Sequence, residues 1–140
     1  MIVVDTSVWS LALRRARADV PPHPAVVLLK ELIAQEADLC IPGIVLQEVL
    51  SGVRHQAQFD KLRAALHPFS VEPASEDVHV RAAEMFNACQ RAGVSATAID
   101  CLIAATAERL QAKVLAVDGD YQHIATVVPL EIVDWAPKRS

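Results

Sequence analysis

Four acids stand where surface acids do not usually stand. Asp5 follows directly on the apolar run Ile2, Val3 and Val4; Glu48 sits inside IPGIVLQEVLSG; Asp100 interrupts SATAIDCLIAATAERL; and Asp118 closes the run VLAV. A carboxylate set among apolar side chains must take up a proton or find a cation, because a buried unpaired charge is strongly disfavoured. If the four converge, each pair separated by about 4 Å repels by roughly 4 kcal/mol at an effective dielectric near 20. A bound cation removes that penalty. The five histidines form no metal-spaced pair and the cysteines no C-x-x-C, so an all-oxygen site is expected, which suits the hard ions Mg²⁺ or Mn²⁺.

Each acid also has a plainer role available. Asp5 can cap a helix that starts at Thr6. Asp100 follows Thr97 at the spacing of a capping box. Asp118, Gly119 and Asp120 form an ordinary turn signal, which fits Asp120 better than Asp118. Glu48 shares a helical stripe with Ile44, Val45 and Gly52 and could sit at the edge of the apolar face. A helix cap can still ligate a metal, so these roles do not compete at every position.

Elements that would position the acids are legible as short apolar runs at residues 2–4, 39–41, 69–71, 114–117 and 130–133. Helical spacing fills the gaps: Val26, Leu29, Lys30 and Ile33 after Pro22 and Pro24, then Val80, Ala83, Met85, Phe86 and Cys89 before the stop at Gly93. Strands alternating with helices predict an α/β fold in three layers, α/β/α, with a mostly parallel five-stranded sheet. The segment from Arg14 to Pro24 is the most loop-like stretch and is too short for a domain linker, so residues 1–140 are expected to form a single domain. In such sheets ligands bind beyond the carboxyl ends of the strands, where Asp5 and Asp118 are placed.

The hydrophobic fraction is 53% and the formal charge −4, with a mean hydropathy of +0.29. The apolar excess suits a covered surface, either a homo-oligomer or a bound protein. The negative charge argues against nucleic-acid binding through a global positive field, although it leaves room for a local basic patch. Cys40, Cys89 and Cys101 are three in number and widely spaced, the pattern of buried free thiols in a reducing cytoplasm. No basic and apolar leader opens the chain and no run approaches membrane-spanning length, so a cytoplasmic protein is expected.

MIVVDTSVW, IPGIVLQEVLSG, AIDCLIAATA and LAVDGDYQHIA, taken in that order, resemble the PIN-domain ribonucleases, and among them the VapC toxins of toxin–antitoxin pairs. The resemblance covers nearly the whole chain. It implies a metal-dependent endoribonuclease with Asp5, Glu48, Asp100 and Asp118 as the catalytic acids. Asp5, Asp100 and Asp118 would hold Mg²⁺ or Mn²⁺, Glu48 would ligate it or orient the nucleophile, and Ser7 and Asp120 would support them. It further implies a homodimer, a VapB-type antitoxin as partner, and products bearing a 5′-phosphate and a 3′-hydroxyl. One departure stands out: the family often has Thr or His two residues before the last acid, where this chain has Ala116.

RNA would be gripped by local cations, and Arg14, Arg15 and Arg17 are the candidates, ahead of Arg54, His55, Lys61 and Arg63. Trp9, Phe86, Tyr121 and Trp135 are scattered aromatics, a pattern of core or partner contacts more than of base stacking. A phospho-accepting signalling domain would need adjacent acids after its first strand, which DTSVW lacks. A non-catalytic PIN-like RNA- or protein-binding module is the alternative, and the presence of all four acids weighs against it.

Overall fold

A computed structural model describes residues 1–13 and 19–136. Four short strands, β1 (Ile2–Val4), β2 (Leu39–Pro42), β3 (Ser70–Glu72) and β4 (Lys113–Leu115), pair in the order β3-β2-β1-β4. Every pairing is parallel: Val3 lies opposite Cys40 and Val114, and Ile41 opposite Val71. Parallel neighbours require crossover connections. These are supplied by α1 (Thr6–Ala12), α2 (Pro24–Ala34), α3 (Gly43–Leu50), α4 (Gln56–Leu66), α5 (Glu76–Arg91) and α6 (Ala98–Leu110), with α7 (Asp120–Ile124) after β4.

Both faces of the sheet are covered. Successive strand residues point to opposite faces, and Val3 and Val4 are each fully buried, as are Val114 and Leu115. Helix α6 packs on β1 and β4 and against α5, whereas α3 packs on β2 and β3 and against α1. The chain is therefore an α/β protein with a parallel sheet, as the alternating runs predict. Leu29, Ile41, Val45, Met85, Ile103, Tyr121 and Ile124 belong to one continuous core.

Among the described residues the sheet has four strands and not five. The run 130–133 reaches β4 only through an isolated parallel bridge between Ile132 and Val114. Two backbone bonds flank it, Val114 N–H to the Glu131 carbonyl at 2.9 Å and Val133 N–H to the Val114 carbonyl at 2.8 Å. Pairing stops there. The α5 stripe also differs from expectation, since Val80 is 55% exposed and the buried face is Val78, Ala82, Met85 and Cys89. Gly93 adopts φ +73 just beyond that helix, a left-handed turn that glycine tolerates and other residues resist.

Local caps follow the sequence closely. Pro24 occupies the first turn of α2, where its missing N–H costs nothing, and His23 Nδ1 accepts from Ala25 N–H at 3.1 Å. Pro42 ends β2 and caps α3, one position before the helix proper. Arg14, Arg15 and Arg17 lie outside the described residues. Among the described residues no helix is long and apolar enough to cross a membrane.

Candidate active site

Beyond the carboxyl ends of β1 and β4 lies an open cleft of about 350 Å³, lined by Asp5, Thr6, Ser7, Glu48, Thr97, Ile99, Asp100, Asp118 and Asp120. Among the described residues, five carboxylates and no basic side chain form its wall. Residues more than a hundred positions apart meet here because β1 and β4 are neighbours in the sheet. The cleft opens where a parallel sheet exposes the ends of its strands.

Asp5 stands at the end of β1 and caps α1. It is only 6% exposed, and both its oxygens are held. Oδ2 accepts from Ser7 N–H at 3.1 Å and Ser7 Oγ–H at 2.6 Å, while Oδ1 accepts from the Tyr121 hydroxyl at 2.9 Å. Ser7 Oγ in turn accepts from Val117 N–H at 3.1 Å. A single serine hydroxyl therefore ties the first strand to the segment after the last.

Glu48 lies half-buried on α3, and its Oε1 accepts from Thr6 Oγ–H at 2.9 Å. The apolar stripe of that helix turns the acid inward, and Thr6 gives it a neutral partner in place of a cation. Asp100 is half-buried in the first turn of α6, and its backbone N–H donates to Thr97 Oγ1 at 3.0 Å. The cap expected at Thr97 is thus formed through the backbone N–H, and Asp100 lines the cleft. Ala104, one turn further along, is fully buried. Asp118 is exposed in the loop after β4, and its Oδ1 accepts from Asp120 N–H at 2.9 Å, which is the Asx turn suggested by the Asp-Gly-Asp sequence. Asp120 begins α7.

Among the described residues, one group of carboxylates is close enough to share an ion: Asp100, Asp118 and Asp120 each offer an oxygen within 4.8 Å of the others. Asp5 and Glu48 line the same cleft outside that group. Without a cation the arrangement is electrostatically unfavourable. The Asp100 carboxyl is pushed above its ordinary range by burial, and further by the charges of Asp118, Asp5 and Asp120, with the Thr97 bond acting in the opposite direction. An all-oxygen donor set and uncompensated negative charge fit a hard divalent cation.

Tyr121 is the site residue that the sequence did not single out. It is fully buried; burial, then the charge of Asp5, pushes its phenol far above the usual range and keeps the proton on the oxygen. A tyrosine three residues after Asp118, in a chain with few aromatics, was the available signal, because a buried phenol needs an acceptor. The other aromatics are structural. Trp9 packs on Phe69 with ring centroids 5.1 Å apart, and Trp135 Nε1–H donates to the Ala116 carbonyl at 2.7 Å while its ring meets His23. The Ala116 side chain is buried, and its backbone oxygen serves as the anchor for Trp135. His123 is exposed.

The PIN-domain family pattern matches residues 2–127. The chain belongs to the PIN-domain family. It is 31% identical over 140 residues to ribonuclease VapC11 of Mycobacterium tuberculosis, a match that covers 96% of this chain and 99% of that protein. Two solved structures show the same fold. FitAcB from Neisseria gonorrhoeae superimposes with a TM-score of 0.74 at 24% identity, covering 96% of this chain and 97% of the other. VapBC2 from Rickettsia felis, solved bound to a promoter DNA fragment, gives 0.75 at 19% identity, covering 97% of this chain and 100% of the other.

Proposed function

We propose that the protein is a metal-dependent endoribonuclease, the toxin of a VapC-type toxin–antitoxin pair, acting as a single domain. The observation that carries this reading is the cleft in which five carboxylates meet and three of them, Asp100, Asp118 and Asp120, come within 4.8 Å of one another. Its whole-length likeness to a VapC ribonuclease supplies the substrate class. Asp5, Asp100 and Asp118 would hold Mg²⁺ or Mn²⁺, directly or through water, with Asp120 supporting them.

Bound there, a divalent cation would lower the pKa of water and neutralise charge at phosphorus. Glu48, fixed by Thr6 at one oxygen, accepts the proton of the attacking water at the other. The water oxygen bonds to phosphorus as the P–O3′ bond breaks. The leaving 3′-oxygen takes a proton from solvent water and Glu48 later returns its own to solvent, giving a 5′-phosphate and a 3′-hydroxyl. The acidic cleft repels RNA when empty, so phosphate must be gripped elsewhere. Arg14, Arg15 and Arg17 are assigned that role, and reversing their charge should flatten the salt dependence of RNA binding.

A VapB-type antitoxin is the proposed protein partner, supported by structural neighbours solved as VapBC assemblies. The apolar excess of the chain suits both that partner and a homodimer. The buried free thiols Cys40, Cys89 and Cys101 suit a reducing cytoplasm. The test of the central reading is Asp5→Asn, assayed on a labelled structured RNA with Mg²⁺, Mn²⁺ or a chelator. Wild-type protein should cleave only with metal and leave 5′-phosphate ends, whereas the variant should remain folded and inactive. Undiminished metal-dependent cleavage by Asp5→Asn would defeat the assignment.

A further inference from the structure

Resting on the metal-dependent reading above, we propose that Tyr121 is a positioning residue, whose buried hydroxyl fixes the direction in which Asp5 presents its remaining lone pair to the cleft. A carboxylate offers about four lone-pair sites, two on each oxygen. At Asp5 three are taken by protein donors: two on Oδ2 by Ser7 and one on Oδ1 by Tyr121. One site on Oδ1 is left for a cation or its water.

The terminal torsion of an aspartate is broad and intrinsically weakly set. Ser7 alone secures one end of the carboxylate. The Tyr121 hydroxyl, 2.9 Å from Oδ1, sets the plane by holding the other, and a hydrogen bond to an ionised acceptor is among the stronger kinds. Tyr121 is itself immobilised, being fully buried on the helix that begins with Asp120. The bond therefore joins the end of β1 to the segment carrying Asp118 and Asp120. Asp5 is kept in register with two of the three clustered acids although it stands outside their group.

Tyr121→Phe retains the buried ring and deletes only the donor. Mn²⁺ binding to the full chain, measured calorimetrically, should weaken roughly ten- to a hundredfold, the usual range for loss of a group that orients a ligand. In RNA cleavage kcat should fall while KM changes little. Ile124→Val, a buried change on the same helix with no carboxylate contact, serves as the comparison. It should lower the melting temperature and leave Mn²⁺ affinity unchanged. The proposal is overturned if Tyr121→Phe binds Mn²⁺ as wild type does, or if Ile124→Val weakens binding equally. Wild-type protein that binds no Mn²⁺ would overturn the metal reading and this proposal with it, a result visible before any variant is compared.

Discussion

Replacing Asp100 by Asn should make the metal-free protein more stable while abolishing most of its response to metal. Asp100 has two carboxylates within 4.8 Å, and each such pair repels by about 3.5 kcal/mol at an effective dielectric of 20 but only about 0.9 kcal/mol in bulk water. Asp118 is exposed, so the aqueous end applies and the two pairs together cost about 2 kcal/mol. Against this, an acid in the first turn of a helix contributes roughly 0.3–1 kcal/mol through the helix dipole. The cap itself survives, since Thr97 is bonded to the backbone N–H of residue 100. The net gain is about 1 kcal/mol, or roughly 3–4 °C for a domain of this size. With Mn²⁺ at a hundred times its Kd, wild-type protein should gain about 2.7 kcal/mol and melt above the variant. Differential scanning calorimetry in chelator and in Mn²⁺, at low and moderate salt, reads both effects, and the chelator gap should narrow as salt screens the repulsion. An Asp100→Asn protein that melts below wild type in chelator at low salt would refute the reasoning.

Acid should act on the same group. Asp100 holds its proton more tightly in the folded chain than at its ordinary value of 3.8. Its contribution to stability is therefore full below that value and is lost as pH rises through the raised one. A metal-free melting series should show this downward slope in wild type and lack it in Asp100→Asn, while Mn²⁺ affinity should rise over the same interval. Ser7→Ala removes one of the three donors to Asp5 and strands the part-buried N–H of Val117; a loss of about 1–3 kcal/mol in urea unfolding is expected, together with reduced cleavage. The thiols of Cys40 and Cys101 are both pushed up to about 11, by burial first, so a disulfide reagent at neutral pH should react with neither until the protein is unfolded.

The sequence was most readable where one strong local preference acted alone. β1 falls on residues 2–4 as the β-branched run implies, and the Thr97 cap falls where its spacing places it. Ends shifted where two preferences met: Pro42 closes a strand and caps a helix, and β4 stops at Leu115, leaving Asp118 in a turn. The fifth run became a bridge because Glu131 and Asp134 are exposed around it and little of the segment is buried. On α5, Val80 lies about 200° around the helix from Val78, so apolarity alone could not show which of the two faces the core. Helix α4 has one fully buried residue, Leu66, and too weak an apolar stripe to announce itself. The convergence of the acids follows from strand order, which no local pattern contains. The Tyr121 bond spans 116 positions and was legible only as an unexplained aromatic.

Because Ile2 pairs with Lys113 and Val3 with Val114, the central strand cannot find its second neighbour until most of the polypeptide has been made. Such distant pairing is intrinsically slow. During translation, which proceeds from the amino end, Asp5 emerges before the segment it bonds to, and its contact with Tyr121 must wait until residue 121 has left the ribosome. The acidic cleft therefore cannot assemble before residues 113–121 have been synthesised.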